Sequence, residues 1–349
     1  MKRISDSLSN GEAALIITPV NRRYLTKFHS SLGYLLITRN ESILFVDGRY
    51  YEAACYYAHC SEVVPLKRLN EQLPEYLNKF NISKLLLEDE IIFRDYKNLK
   101  SALSIEVEPS SNLSGLIMEC KSVKSLDEIE KIEKAQRIAE KAFDEVLNII
   151  KPGISERHLA LELDYNIRKF GGDDISFETI VVSGENSSLP HGVPGEREVK
   201  PGDFITFDFG AVKDGYHSDM TRTIALEYAT DEMQKVYYCV LSAQIAALNI
   251  IKEGLPCGEV DKAARDVIEL QGFGEYFVHS TGHGVGLKIH EEPRLVKDNT
   301  ALLKSGNVVT VEPGIYIPSK FGARIEDMVV VTKEGSINLT KTAKDLIII

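Results

Sequence analysis

Four carboxylates recur in matched settings in the second half of the 349-residue chain: Asp208 in FITFDFG, Asp219 in YHSDMTRTIAL, Glu312 in VTVEPG and Glu326 in GARIEDMVVV. Asp208 stands between Phe207 and Phe209 on a stretch that alternates like a β-strand, so its side chain is expected to be partly desolvated. A buried carboxylate without compensation costs several kcal/mol. Four of them gathered at one place repel one another, and two divalent cations would settle that repulsion. Oxygen-rich ligands with an occasional imidazole suit Mn²⁺, Co²⁺, Fe²⁺ or Zn²⁺, and carboxylates can bridge two metals about 3.5 to 4 Å apart. Four carboxylates, a neutral histidine and two such ions cancel in formal charge. A hydroxide shared by the ions would be nucleophilic near neutral pH.

The imidazole comes from STGHGVGLKIHEEP, which offers two candidates. His283 stands between glycines, where backbone can approach a cluster closely, and His290 follows beside Glu291, Glu292 and Pro293. Residue types alone leave both open.

The carboxylates can meet only if the chain folds back on itself in a matched way, and the sequence repeats. LNIIKPG at 147–153 recurs as LNIIKEG at 248–254, 101 residues on, and KPGDFITFDFG at 200–210 recurs as KSGNVVTVEPG at 304–314, 104 residues on. The second match aligns Thr206 with Thr310, Asp208 with Glu312 and Gly210 with Gly314. Two matches in one order at nearly one spacing predict two related halves of helices and strands. A hairpin folded about Lys213 to Gly215 brings Asp219 back opposite Asp208, and Glu326 is its counterpart on a strand of the other half.

Each half opens on a long helix. In SLDEIEKIEKAQRIAEKAFDEVLNII, Leu126, Ile129, Ile132, Ile138, Ala142, Val146 and Ile149 form one apolar helical face, and Ser125 with Glu128 forms a capping box. The change of character near 120 predicts two domains, 1–120 and 121–349. In the first, SLGYLLITRNESILFVDGRY reads as a hairpin turning at Arg39, Asn40 and Glu41, YYEAACYYA as a helix and SKLLLED as a buried strand, which makes a small α/β domain.

Composition excludes several classes. The chain is 44% hydrophobic and 27% charged, ordinary for a soluble globular protein, and no apolar run approaches the roughly 20 residues that span a bilayer. MKRISDSLSNGEAALIITP starts basic but turns polar where a signal peptide needs its apolar core, so a cytoplasmic protein is expected. Cys55, Cys60, Cys120, Cys239 and Cys257 are scattered singly and form neither a disulfide frame nor a zinc-thiolate pattern. A net charge of -11 argues against nucleic acid and anionic membrane as partners.

FDFG, SDMTRT, GHGVGLKIHEEP, VEPG and RIED together closely resemble the metal-binding motifs of the M24 metallopeptidases, the pita-bread fold of aminopeptidase P, prolidase and methionine aminopeptidase, over roughly 122–349. The resemblance implies an α+β chain: a C-terminal pita-bread domain with an internal pseudo-twofold repeat, and a smaller N-terminal creatinase-like α/β domain. It implies Asp208, Asp219, His283, Glu312 and Glu326 as ligands, Asp208 and Asp219 holding one metal, His283 and Glu312 contributing to the other, and carboxylates bridging. Glu312 is implied to relay a proton toward the leaving amine. His191 resembles the substrate-binding histidine of the family, His290 the one that stabilises the tetrahedral intermediate, and His279 a pocket-lining histidine of the proline-specific members. Arg324, two residues before Glu326 and expected on the same strand face, is placed to hold a ligand carboxylate.

NRRYLTKFHSSLGYLLITRNESILFVDGRYYEAA resembles the N-terminal domain of Xaa-Pro peptidases. The expected activity is therefore that of an Xaa-Pro aminopeptidase acting on proline-containing peptides, with Xaa-Pro dipeptidase (prolidase) as the alternative. Mn²⁺ is the first expected metal and a homodimer the expected assembly. A pita-bread protein without catalysis, or a metal-free creatinase-like hydrolase, is the reading of a different class. Either should have lost metal ligands, and this chain keeps all five positions.

Overall fold

In the computed structural model, which describes residues 1–349, the chain divides into two units, Met1–Lys121 and Ser122–Ile349. The first contains strands β1 (Glu12–Ile16), β2 (Gly33–Ile37), β3 (Ser42–Val46), β4 (Glu62–Pro65), β5 (Lys84–Leu87) and β6 (Glu106–Pro109) in one sheet of order β4-β3-β2-β1-β5-β6. The hairpin read from the sequence is β2–β3, closed where the Thr38 N–H donates to the Glu41 carbonyl at 2.8 Å. The β1–β5, β5–β6 and β3–β4 pairs are parallel and need crossover connections. Helices α1 (Lys2–Ser7), α2 (Pro19–Thr26), α3 (Gly48–Tyr57), α4 (Leu69–Lys79), α5 (Phe93–Ala102) and α6 (Ser111–Ser122) complete the unit. Strand residues alternate between two apolar layers, Leu15, Leu36 and Phe45 on one face and Ile16, Leu35 and Leu44 on the other, so both faces are covered.

The second unit opens on α7 (Leu126–Leu147). Ser125 Oγ accepts the Glu128 N–H while the Glu128 carboxylate accepts the Ser125 N–H, the reciprocal cap read from the sequence. Ile132, Ala142 and Val146 are buried as expected, with Phe143 beside them, but Leu126 and Ile149 are exposed. These two lie at or beyond the helix ends, where no neighbouring element covers them.

The rest of the first half is α8 (Glu156–Lys169), β7 (Asp174–Ile175), β8 (Ile180–Ser183), β9 (Phe204–Phe209), β10 (Ala211–Lys213), β11 (Tyr216–His217) and β12 (Met220–Ala225). The second half is α9 (Asp231–Ile250), α10 (Cys257–Leu270), β13 (Gly282–Gly284), β14 (Glu291–Leu295), β15 (Val308–Val311), β16 (Gly314–Ile317), β17 (Phe321–Arg324), β18 (Asp327–Val331) and β19 (Ser336–Asn338). A long helix, a shorter helix and an antiparallel strand pair thus occur twice: α7, α8 and β9–β12, then α9, α10 and β15–β18. The repeated heptapeptides close the two long helices, and Gly153 and Gly254 both adopt the left-handed backbone there, with φ of 87° and 81°.

Alternation along β9 orients the first carboxylate. Phe207 and Phe209 pack on Phe143 of α7 with ring centroids 5.4 and 5.5 Å apart, which turns Thr206 and Asp208 to the opposite face. No helix is long and apolar enough to cross a membrane.

Candidate metal centre and active site

Asp208 faces Thr221 across the β9–β12 ladder, and Asp219, two residues before Thr221, emerges on the same side. His283 is the middle residue of β13, whose neighbour in the sheet is β15, and Glu312 directly follows β15. Asp219 and Glu326 were expected on strands, but they stand in the segments that lead into β12 and β18. Arg324 likewise ends β17 and shares no strand face with Glu326. The reason is backbone pairing between the halves. The Glu326 N–H leaves the local ladder and donates to the Thr221 carbonyl at 3.1 Å, turning the Glu326 side chain toward the first half.

The five proposed ligands Asp208, Asp219, His283, Glu312 and Glu326 line one cavity of about 500 Å³, and so do His191, His279, His290 and Arg324. Single ligand atoms of Asp219, His283 and Glu326 lie within 4.8 Å of one another. His283 Nε2 is 3.6 Å from Asp219 Oδ2 and 3.3 Å from Glu312 Oε1. His283 Nδ1 lies 3.0 Å from the Gly284 carbonyl, an acceptor only, so that nitrogen carries the proton and the Nε2 lone pair faces the carboxylates.

Threonines orient the acids. Thr221 Oγ1 donates to Glu326 Oε2 at 2.7 Å and Thr310 Oγ1 to Glu312 Oε1 at 3.1 Å. Thr310 Oγ1 also accepts the His283 N–H at 3.1 Å. Arg324 is the one cation in contact with a proposed ligand, with Nη2 2.6 Å from Asp208 Oδ2. Asp208 Oδ1 and Glu326 Oε1 are buried with no hydrogen-bond partner. Carboxylate oxygens in that condition are costly unless a cation meets them, so the donor set fits oxygen-seeking divalent metals with one imidazole.

The titration behaviour agrees. Burial, reinforced by Asp208 and Glu312, holds the Asp219 carboxyl far above the usual carboxylate range, and burial with Asp219, Glu312 and Asp208 does the same to Glu326. Glu312 is pushed up to about 8, because burial outweighs the attraction of Arg324. Burial brings His283 down to about 4, so at neutral pH its imidazole is uncharged and free to act as a ligand. Without metal, protons must replace the cations.

Around this set, His279 Nε2 lies 2.9 Å from Tyr316 Oη, which accepts from Arg324 Nη1 at 2.7 Å. The His290 ring lies 4.4 Å from the His283 ring at 70°. The sequence reading assigned no role to Thr221, Thr310, Tyr316 or Arg294. The threonines were accessible to it, since each sits two residues from a proposed ligand carboxylate on an alternating stretch. Nothing local marks Tyr316 or Arg294. Arg294 lines the same cavity with a half-exposed side chain, and its charge adds to burial, the larger cause, in lowering His283 and His290.

The profile of Metallopeptidase family M24 matches residues 130–333, and that of the Creatinase/Prolidase N-terminal domain matches residues 9–123. Among solved structures, an Xaa-Pro dipeptidase from Bacillus anthracis is 40% identical, with a TM-score of 0.96 over 99% of this chain and 98% of that one. An X-Pro aminopeptidase from Thermotoga maritima MSB8 is 35% identical, with a TM-score of 0.93 over 99% of both chains. A prolidase from Pyrococcus furiosus is 36% identical, with a TM-score of 0.90 over 98% of this chain and 100% of that one.

Proposed function

The chain belongs to metallopeptidase family M24, and on that premise we propose that it hydrolyses Xaa-Pro bonds, with Xaa-Pro dipeptides as its substrates. The observation that carries this reading is the cavity in which four carboxylates and a neutral histidine converge while two buried carboxylate oxygens lack any partner. Asp208, Asp219, His283, Glu312 and Glu326 would hold two divalent cations, Mn²⁺ first among Mn²⁺, Co²⁺, Zn²⁺ and Fe²⁺. Such cations supply Lewis acidity at the scissile carbonyl and lower the pKa of water to near neutrality.

The remaining work falls to the chain. Glu312 takes a proton at its carboxylate and returns it to the proline nitrogen, which must be protonated to leave as a secondary amine. His290, whose pKa is lowered by burial and by Arg294, is neutral at pH 7 and donates an imidazole N–H to the developing oxyanion. His191 stands on the same cavity wall and binds the substrate, and His279, held by Tyr316, lines the pocket. Phe177, Ile180, Val193 and Ile289 give the apolar wall that a pyrrolidine ring prefers. Arg324 keeps Asp208 in place.

Two supports favour the dipeptidase over the aminopeptidase expected first. An Xaa-Pro dipeptidase and a prolidase stand among the similar structures, and Arg294 offers a cation to the C-terminal carboxylate of a dipeptide. The X-Pro aminopeptidase from Thermotoga maritima supports the second reading, release of an N-terminal residue from longer peptides. A homodimer belongs to the same proposal, on the likeness of residues 9–123 to the Creatinase/Prolidase N-terminal domain, and light scattering on purified protein tests it.

The deciding assay gives Mn²⁺-loaded protein Ala-Pro, Ala-Pro-Ala and Ala-Ala. Proline release from Ala-Pro alone, abolished by a chelator and restored by Mn²⁺, is the expected result. Comparable cleavage of Ala-Pro-Ala makes the protein an aminopeptidase. No hydrolysis of any of the three by loaded protein favours the pita-bread protein without catalysis.

A further inference from the structure

Lys124 and Glu291 are joined across 167 residues of chain, with Nζ 3.2 Å from Oε2 and side chains only 1% and 5% exposed. Neither belongs to the metal centre. We propose that this buried pair positions His290 for the reaction, an inference that rests on the Xaa-Pro hydrolase reading above.

Glu291 is the first residue of β14 and faces Gly284 of β13 in the ladder. Its second oxygen accepts the Lys288 N–H at 3.1 Å, so one carboxylate closes the loop 285–290 and meets the lysine. The glycine at 286 leaves room for it in this position, where a Cβ would lie 2.5 Å from Glu291 Oε2. The same Gly286 is pinned on its other side, its carbonyl accepting the His217 N–H at 2.9 Å. Lys124 is equally fixed, since its N–H donates to the Gly306 carbonyl at 2.8 Å, directly before the capped start of α7.

His290 is the last residue of the bend that the Glu291 carboxylate closes, directly before β14, and its ring lines the cavity against that of His283. Holding the Glu291 carboxylate under the loop, on Lys124 and on the Lys288 N–H, therefore fixes where the loop delivers residue 290. An ion pair suits this task better than an apolar contact because it fixes direction. Stability alone does not explain it, since well-packed apolar residues commonly replace a buried pair without loss. Lys124 and Glu291 are thus positioning residues that act through His290.

The test uses the full-length, Mn²⁺-loaded protein and three variants: Lys124→Arg, Glu291→Gln and the double Lys124→Met/Glu291→Met, which leaves no unpaired charge behind. Each is read for kcat and KM on Ala-Pro, bound Mn²⁺, thermal midpoint and the rate at which diethyl pyrocarbonate modifies His290, followed by peptide mass spectrometry. The double variant is expected to keep midpoint, bound Mn²⁺ and KM while kcat falls by about 10- to 100-fold, the usual cost of a small misplacement, and His290 is modified several-fold faster. Lys124→Arg should recover most of the rate.

A double variant with unchanged kcat and unchanged His290 modification overturns the proposal, and so does a loss of kcat that follows lost metal or lost folded protein. If the double variant does not fold, Glu291→Gln decides by the same readouts, because it keeps an acceptor for Lys288 and loses only the ion pair. Should the wild type hydrolyse no Xaa-Pro substrate, the functional reading fails by itself, and the His290 modification rate alone judges the positioning.

Discussion

Arg324 Nη2 donates to Asp208 Oδ2 at 2.6 Å, and the same guanidinium reaches Tyr316 Oη at 2.7 Å through Nη1 and Thr221 Oγ1 at 3.0 Å through Nε. One cation therefore meets one of four converging carboxylates and leaves Asp208 Oδ1 without a partner. Burial works against the charge on Arg324, yet Tyr316, Asp208 and Glu312 outweigh it and raise its pKa, so it remains a cation at any working pH. The arrangement turns a free oxygen of Asp208 toward whatever cation completes the centre.

Arg324→Ala should lower bound Mn²⁺ and reduce kcat/KM on Ala-Pro by about 10- to 100-fold, the range seen when a partner of a metal ligand is removed. Arg324→Lys should recover little, because an ammonium cannot span Asp208, Tyr316 and Thr221 together. Plasma mass spectrometry of the dialysed variants beside steady-state kinetics checks this. Full occupancy and full rate in the alanine variant would show that Asp208 needs no such support.

The metal-free protein should lose stability as pH rises. Asp219, Glu326 and Glu312 all have carboxyl pKa values raised in the folded state, Glu312 to about 8. Groups of this kind contribute fully below their unfolded values, 3.8 for the aspartate and 4.5 for the glutamates, and the contribution disappears as pH climbs through the folded ones. With chelator present, the thermal midpoint should fall between pH 5 and pH 8, by a free energy of a few kcal/mol, while Mn²⁺-loaded protein stays nearly level. An apo midpoint that rises over this window contradicts the sign.

Gly282→Ala should be among the most damaging single changes. A Cβ at 282 would lie 2.0 Å from the Thr310 carbonyl oxygen, so β13 would have to part from β15, which holds the His283 N–H through Thr310. A loss of about 3 kcal/mol or more in urea unfolding is expected, with weaker Mn²⁺ binding by calorimetry. Wild-type stability would mean that the two strands separate at little cost.

Arg294→Ala separates the two substrate readings. If this cation receives the carboxylate of a dipeptide, KM for Ala-Pro should rise about tenfold or more while Ala-Pro-amide is turned over as before. Equal effects on both substrates would remove Arg294 from substrate recognition and leave the dipeptidase resting on its relatives.

Much of the site was legible in the chain itself. Repeated heptapeptides ending in Gly153 and Gly254, the cap at Ser125 and Glu128, and the alternation that turns Asp208 away from Phe207 and Phe209 are local, set by turn chemistry and side-chain period within a few residues. These signals sufficed to predict two matched halves, and likeness of motif supplied the five proposed ligand positions. Arg324 was expected to hold a proposed ligand carboxylate, but the tertiary structure decided which one, and which distant partner each buried polar group meets. Thr221 reaches Glu326 across 105 residues, Arg324 reaches Asp208 across 116 and Lys124 reaches Glu291 across 167, and no pattern in the sequence couples such pairs. Their meeting depends on how the two halves of the catalytic unit pack, which also moved Asp219, Glu326 and Arg324 to strand ends. Residue type and period are written locally, whereas the partner of a buried polar group is chosen by whichever distant segment arrives beside it.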